Sequence, residues 1–274
     1  MLIPSDFFGF VSDEQEFVNI DSQEQFEINC RALGPNWHWY NQSFTYRING
    51  HGYRMNKDLS DVDLDNYLAF FGCSYTVGIG LPLEETFAYR IAKQSNMDYI
   101  NGAVPAVSCD FVLANFVELI SHTPVLPKAV VINWPDIART MYWSKNQRFD
   151  FFSNIKITQE NKYWASSYRA YVLEDTNMLK RFDLARDVIV SMCRLADIPL
   201  IEFTTEQSSL YNISIDFAEK YKNIFMVPWS FPRDSTITDT NQNLARDIYP
   251  KNFPRFPALA NCYDWPGWAH PGQS

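Results

Sequence analysis

Few of the residues that build metal or disulfide sites are present, and those few are scattered. The five cysteines include no CxxC pair, and the four histidines form neither an HxxxH nor an HExxH pattern. Structural zinc sites and disulfide frameworks normally show such regular spacings. We therefore expect free thiols in a reducing compartment and no metal centre.

Basic clusters and long apolar runs are missing as well. The formal net charge is −9, and no Lys/Arg run is suited to following a phosphate backbone, so nucleic acid is not an expected partner. The longest apolar runs, 67–72 and 129–132, fall far short of the roughly twenty residues of a membrane-spanning helix. Residues 1–10 carry no positive charge ahead of their apolar residues, and we expect no secretory signal there.

The segments that are present alternate between strand-like apolar runs and amphipathic stretches of helical length. With 274 residues, of which 46% are hydrophobic, the chain can form one large core or two smaller ones. The predicted strands are 67–71, 98–100, 127–133, 198–203 and 223–227, and the predicted helices are 84–94, 110–121, 176–196 and 215–222. This alternation favours an α/β fold with a parallel sheet.

The composition divides the chain into an N-terminal extension and a main domain. Residues 1–60 are rich in polar and aromatic residues, with a predicted strand at 43–48, and we expect them to pack on the main domain, 61–274. Within that domain, 139–165 is aromatic and polar without a clear period, which indicates an insertion over the edge of the sheet.

The first predicted strand runs directly into a glycine-rich segment that contains Ser74. In open α/β sheets, ligands bind at the carboxyl ends of the strands, and Ser74 is expected there, just before a helix. Gly72 permits a tight turn, and the Ser74 N–H near the helix start is suited to holding a developing negative charge. Ser74 as a simple helix cap in a glycine-rich loop is the alternative interpretation.

The segment Phe71-Gly-Cys-Ser-Tyr-Thr-Val-Gly-Ile-Gly-Leu81 resembles the first motif of the SGNH, or GDSL-type, serine hydrolases, which reads approximately F-G-D-S-x-T-x-G-x-G-V. The departure is Cys73 in place of aspartate. The resemblance implies a three-layer α/β/α fold with a parallel, flavodoxin-like sheet of five strands, and Ser74 as the nucleophile. Because neighbouring side chains of an extended chain point to opposite sides, we expect Cys73 to pack inward.

Two further motifs of this family concern the oxyanion hole. After the second predicted strand the chain reads Asn101-Gly-Ala-Val-Pro-Ala106, and the resemblance implies the Gly102 N–H as an oxyanion donor. After the third strand, Asn133 is the nearest amide, although a gapless match places Pro135 at the family's asparagine. A plain turn at Gly102 and a structural strand-end role for Asn133 are the alternatives.

The last family motif, D-x-x-H-P, supplies the base and its orienting carboxylate. Here His270-Pro-Gly fits, but Gly267 stands at the aspartate position, so the carboxylate is expected from Asp264, from Asp247, or from neither. The chain ends four residues after His270, where relatives continue into a closing helix. We expect that flank to be covered by a missing terminus or by another chain.

A family-like lead-in, Tyr46-Arg-Ile-Asn-Gly-His-Gly-Tyr-Arg54, precedes the first motif. It resembles the T-x-N-x-x-G-[FY]-R segment of some family members, including phage-borne and bacterial ones. We expect Arg54 to order the extension against the main domain, with no role in catalysis.

By this resemblance the chain is expected to be a serine esterase that acts on a small ester, with O-acetyl groups on carbohydrate as the substrate class and without a cofactor. The alternative is a catalytically weak binding or structural module of a phage or cell-surface assembly, which Cys73, Gly267 and the imperfect match at Asn133 favour. Acyl transfer would use the same residues as hydrolysis. The expected location is the cytoplasm or a phage particle.

Overall fold

A computed structural model of the chain describes residues 2–5, 14–15, 23–36, 40, 44–143, 149–152, 163, 166–167, 171–172, 175–204 and 225–226. The strands are β1 (Glu14–Gln15), β2 (Tyr46–Arg47), β3 (Tyr67–Phe71), β4 (Asp98–Asn101), β5 (Ala129–Trp134), β6 (Thr140–Trp143), β7 (Phe149–Phe152), β8 (Leu200–Thr204) and β9 (Phe225–Met226). The helices are α1 (Gln23–Leu33), α2 (Ser74–Val77), α3 (Phe87–Gln94), α4 (Cys109–His122) and α5 (Asp175–Leu195). Single 3-10 turns cover Gly34–Asn36, Leu59–Asp61 and Leu83–Glu85.

The main sheet is parallel, with strand order β4-β3-β5-β8-β9 in the described residues. The first of these strands in the chain therefore lies between the second and the third, which is the flavodoxin-like order. Register follows from pairs such as Leu68 with both Tyr99 and Ala129. The predicted α/β fold is confirmed.

The two faces of β3 are both covered, which explains why its sequence is apolar throughout and does not alternate. All five residues of this strand are buried. On one face the Phe71 ring packs against Phe116 of α4, with ring centroids 5.8 Å apart. On the other face Phe70 packs against Phe87 of α3, with centroids 6.0 Å apart. A strand buried on both sides is typical of the central layer of an α/β/α sandwich.

Side-chain caps set where the flanking helices begin. Thr86 caps α3 by accepting a hydrogen bond from the Tyr89 N–H at 3.4 Å, and Ser108 caps α4 by accepting one from the Phe111 N–H at 3.3 Å. The predicted start of the first helix at residue 84 was wrong, because 83–85 form a 3-10 turn ahead of the Thr86 cap. Such caps satisfy N–H groups that have no partner within the helix.

The segment 139–165 contains regular structure that its composition did not predict. Strands β6 and β7 pair antiparallel, with Thr140 opposite Phe152 and Trp143 opposite Phe149.

The predicted strand 223–227 is described only as β9, paired parallel with β8. The predicted helix 215–222 lies outside the described residues.

The segment 44–57, called the N-terminal segment here, contributes buried side chains to the core. Tyr46 and Ile48 are buried in a cluster with Val77 and Ile79, which follow Ser74 in the chain. Tyr53 belongs to the same large cluster as Tyr67, Ala69 and Phe71 of β3. The burial of these side chains removes apolar surface of both segments from water, so it stabilises their contact.

Lys57 ties the same segment to the amino end of β4. Its Nζ lies 2.7 and 2.9 Å from the carboxylate oxygens of Asp98, which also accepts a hydrogen bond from the Asp63 N–H at 2.8 Å. Burial acts to raise the pKa of Asp98, but the Asp63 N–H and the Lys57 ammonium outweigh it and leave the pKa below its ordinary value. This stabilisation is therefore present above the unfolded pKa and is lost as the pH falls through the lower folded value.

A buried ion pair joins α5 to β8 of the sheet. The Arg186 guanidinium donates to both carboxylate oxygens of Glu202 on β8, at 2.9 and 2.8 Å. Glu202 also accepts from the indole Nε1–H of Trp134 at 3.0 Å, and it is 7% exposed.

In the described ranges no helix combines the length and apolar character needed to cross a membrane.

Replacing Arg186 with Met should lower the free energy of unfolding by about 3 kcal/mol, because it leaves the buried Glu202 carboxylate without its counter-charge. Arg194 on the same helix is exposed, so Arg194→Met is the matched control and should change stability by less than about 0.5 kcal/mol. Urea unfolding followed by circular dichroism measures both values. Equal losses in the two variants would show that the ion pair contributes nothing specific.

Candidate active site

The chain leaves β3 through a sharp turn that presents Ser74. Gly72 has a φ of +153°, and Cys73 is the N-cap of the four-residue helix α2, which begins at Ser74. The helix ends at Gly78, where φ is +75° in the left-handed region. Cys73 is fully buried in the main core whereas Ser74 is only half-buried, so the prediction that Cys73 packs inward is confirmed.

Backbone packing leaves no room for a side chain at Gly72. A Cβ atom there would lie 2.2 Å from the Thr76 Oγ1 and 2.7 Å from the Asn133 carbonyl oxygen. The latter is backbone of the neighbouring strand β5, so it cannot be moved like the end of a flexible side chain. The glycine therefore lets the turn after β3 close directly against β5.

Hydrogen bonds within the turn define the position of the serine backbone. The Cys73 carbonyl accepts from the N–H groups of Thr76 and Val77, at 2.9 and 3.1 Å. The Ser74 carbonyl accepts from those of Gly78 and Ile79, at 2.9 and 3.2 Å. Ser74 is thus the first residue of a closed helical turn at the carboxyl edge of the sheet, as its sequence position predicted.

Arg54 links the extension to this turn. Its side chain is fully buried and donates hydrogen bonds to the carbonyl oxygens of Val77, Gly78 and Leu81. These hydrogen bonds join Arg54 of the extension to the main domain, which is the contact expected of this residue; the packing of the extension 1–60 as a whole stays a prediction.

The predicted oxyanion donor Gly102 is used elsewhere. Its N–H donates to the Phe70 carbonyl at 2.8 Å, which continues the parallel ladder between β4 and β3. Its own carbonyl accepts from the Asn115 side chain at 2.8 Å. A backbone N–H with a sheet acceptor at this distance is not available to a bound anion, so this geometry does not support the assignment of Gly102.

The loop after Gly102 contains a feature that sequence reasoning missed. The N–H groups of Ala103 and Val104 donate to the Asn101 side chain at 3.2 Å and the Gly72 carbonyl at 3.4 Å, and Pro105 has no N–H. Ala106 then adopts a φ of +61°, which is uncommon for a residue with a side chain. No sequence signal marks it, because glycine or asparagine is the residue type expected in this conformation.

Asn133 lies where it was predicted, near the carboxyl end of β5, and is fully buried. Its backbone pairs with Phe203 of β8 and its carbonyl oxygen contacts Gly72. Its part in an oxyanion hole stays a prediction. Asp136, two residues after the strand, uses a carboxylate oxygen to accept the Ala138 N–H at 2.9 Å, so it closes a turn.

The predicted base His270 and the two candidate carboxylates, Asp264 and Asp247, lie outside the described residues, as does Gly267. Their relation to Ser74 therefore stays a prediction. Of the groups needed for nucleophilic catalysis, the described residues contain the serine and its turn.

Other ionisable groups near this edge have structural partners. Burial, followed by the charges of Asp110 and Asp136, raises the pKa of the Cys109 thiol well above its ordinary value, so this thiol is protonated and a poor nucleophile. Asp110 forms an ion pair with Arg181 of α5, which also donates to the Thr140 hydroxyl at 3.2 Å. Nowhere in the described part of the chain do three or more His, Cys, Asp or Glu side chains cluster so as to hold a metal ion.

Comparison with known proteins gave structural neighbours only. No family model and no curated protein matches the chain. Similar solved structures include AlinE4, an SGNH-hydrolase family esterase, with 14% identity, 72% of this chain and 92% of that chain covered, and a TM-score of 0.35. They also include the esterase EstA from Pseudoalteromonas sp., with 13% identity, 59% of this chain and 77% of that chain covered, and a TM-score of 0.34. A family two carbohydrate esterase from Clostridium thermocellum has 13% identity, 67% of this chain and 59% of that chain covered, and a TM-score of 0.34. With TM-scores below 0.5, these proteins carry no weight in the function proposed below.

Gly72→Ala should destabilise the protein by about 3 kcal/mol or more, because the new Cβ would overlap the Asn133 carbonyl oxygen and φ at this position disfavours any side chain. Gly50→Ala is the matched control. Gly50 is exposed, and its nearest atom to a new Cβ is the Asp58 Oδ1 at 3.7 Å, so little change is expected. Thermal unfolding compares the two. A Gly72→Ala variant as stable as Gly50→Ala would contradict the tight turn.

Proposed function

We propose that the chain is a serine hydrolase of the SGNH type that cleaves carboxylic esters through Ser74. The observation that carries this proposal is the placement of Ser74. It is a half-buried serine at the start of a helical turn, at the carboxyl edge of a parallel sheet and beside a strand buried on both faces. A rigid strand that ends in a sharp turn is well suited to holding a nucleophile in one orientation.

In the proposed reaction the Ser74 Oγ attacks the acyl carbon of the ester while His270 removes the hydroxyl proton. The bond between the acyl carbon and the alcohol oxygen then breaks, and His270 returns the proton to the leaving alcohol. Water, activated by the same histidine, hydrolyses the acyl-enzyme and regenerates the serine. Asp264, or Asp247 in its place, is proposed to orient the histidine.

The oxyanion that forms on the acyl group requires N–H donors aimed at it. The Ser74 N–H is the first proposed donor. For the second we propose the Ala106 N–H in place of Gly102, because Ala106 is the first N–H of its loop without an acceptor among the described residues. The Asn133 side chain remains a third candidate, and the loss of one such donor typically costs about 10²–10³ in rate.

The proposed substrate is a small ester, with acetyl groups on carbohydrate as the expected class. No metal or organic cofactor takes part in the proposed steps.

A binding or structural module with little turnover is the second candidate function. The engagement of the Gly102 N–H in the sheet favours it, because one expected oxyanion donor is then unavailable. The departures from the family motifs at Cys73 and Gly267 point the same way. Turnover distinguishes the two functions directly.

Ser74→Ala should abolish labelling by a fluorophosphonate probe and lower the hydrolysis of p-nitrophenyl acetate by about 10⁴-fold or more, because the nucleophile is removed. His270→Ala should cause a comparable loss. Cys73→Ala should keep both activities, since this side chain faces the core. The rate of ester cleavage and gel fluorescence of the labelled protein are the measurements.

The matched control is Ser95→Ala, which removes an exposed serine just after α3 and should react like the unchanged protein. Well-folded protein that neither takes up the probe nor cleaves the ester would favour the binding module. Labelling that survives Ser74→Ala but not Cys73→Ala would place the nucleophile at the thiol.

A further inference from the structure

The turn 73–81, which carries Ser74 and is called the nucleophile turn here, is held at its carbonyl oxygens by one buried cation, Arg54. The Arg54 Nη1 donates to the carbonyl oxygens of Val77 at 3.3 Å and Gly78 at 2.5 Å, and its Nη2 donates to that of Leu81 at 2.5 Å. The guanidinium carbon lies 4.4 Å from the centre of the Tyr46 ring. Arg54 itself is 0% exposed.

Two neutral side chains complete this support. The Tyr46 hydroxyl accepts a hydrogen bond from the Gly80 N–H at 2.7 Å. The Asn101 side chain, at the end of β4, donates to the Thr76 carbonyl at 3.2 Å. Four carbonyl oxygens between Thr76 and Leu81 therefore accept hydrogen bonds from side chains outside the turn. A helix of only four residues cannot satisfy these carbonyls by itself.

An arginine is specifically suited to this position. Its planar fork directs several N–H groups at once toward acceptors that lie in different directions, whereas a lysine offers a single point of charge. The flat guanidinium also stacks on an aromatic face, as it does here on Tyr46. The three acceptor residues are buried, so a carbonyl that lost its donor could not turn to water instead, and this favours the observed geometry.

We infer that Arg54, contrary to the expectation from the sequence that it has no role in catalysis, is a positioning residue for Ser74, acting through the carbonyl groups of the turn that carries the nucleophile. This inference rests on the function proposed above. Gly78 connects the two groups directly, since its carbonyl accepts from Arg54 while its N–H donates to the Ser74 carbonyl at 2.9 Å. Gly78 is thus the only residue between Arg54 and Ser74 in this series of hydrogen bonds, so a displacement of Gly78 would also displace the serine backbone.

The consequence for catalysis follows from the precision that covalent attack requires. A displacement of the nucleophile by about 1 Å can reduce the rate about 10²-fold, even when the cause lies away from the reacting atoms. The loss of Arg54 should therefore lower kcat and the rate of probe labelling by about 10-fold to 10²-fold. KM should change little, because Arg54 is buried beneath the turn and does not contact the substrate.

Lys57 provides a matched control within the same segment. It ties the segment to Asp98 at the amino end of β4, which is the opposite edge of the sheet from Ser74. Lys57→Met therefore removes an anchoring contact of the segment without touching the nucleophile turn. It should leave kcat and the labelling rate unchanged.

The experiment compares Arg54→Ala, Arg54→Lys and Lys57→Met with the unchanged protein. Circular dichroism and Tm establish folding, steady-state kinetics on p-nitrophenyl acetate separate kcat from KM, and fluorophosphonate labelling reports on Ser74 alone. Arg54→Ala is also assayed with added guanidinium chloride below denaturing concentrations, against sodium chloride at equal ionic strength. We expect guanidinium to restore part of the lost rate by occupying the vacated position, and Arg54→Lys to be intermediate.

A folded Arg54 variant that labels and turns over like the unchanged protein would overturn the positioning role while the function of Ser74 stands. If Arg54→Ala does not fold, Arg54→Lys decides by the same readouts. If Lys57→Met loses rate to the same extent, the effect belongs to the segment as a whole and the inference is also overturned. If the unchanged protein neither labels nor hydrolyses the ester, both the proposed function and this inference fail.

Discussion

The close packing of the turn after β3 against β5 is the constraint on which the candidate site depends. With no side chain at Gly72, the Asn133 carbonyl of β5 and the Thr76 hydroxyl can both approach the Gly72 Cα. The strand β3 lies between β4 and β5 and is buried on both faces, so the start of the turn is held in place by the packed sheet. Close packing at Gly72 therefore fixes where the turn that carries Ser74 begins.

The N-terminal segment contributes to the same rigidity from outside the sheet. Arg54 joins it to the turn that presents Ser74, whereas Lys57 joins it to the amino end of β4, away from that turn. Burying a guanidinium is costly unless its donors find acceptors, and the three backbone carbonyls accept from its Nη1 and Nη2 groups. Because Arg54 is fully buried and its hydrogen bonds go to the turn that presents Ser74, the N-terminal segment forms part of the framework of the candidate site.

The parts of this fold that could be predicted from the sequence are those specified by local patterns. The continuous apolar run 67–71 became an interior strand of the sheet, and the Gly72–Ser74 segment became a strand-to-helix turn, because burial and glycine are both visible in the sequence. The Gly102 assignment was not supported for a reason that is not local. The acceptor of its N–H is set by the register of β4 against β3, and register is a property of two distant segments. The left-handed Ala106 and the pairing of β6 with β7 likewise depend on contacts that no single stretch of sequence reveals.

The two ends of α2 contribute differently to any negative charge that forms at Ser74. The first N–H groups of a helical turn favour an anion, but four residues provide only a small summed dipole, and their carbonyl ends oppose the charge. Arg54 lies against those carbonyls and is shielded from solvent, so its positive charge offsets their partial negative charge where screening by water is weakest. If Ser74 is the nucleophile, as proposed, the same guanidinium would hold the geometry of the turn and make its electrostatic field more favourable to an oxyanion. A neutral donor in its place would supply only the first of these effects, because it carries no net charge to oppose the carbonyl dipoles.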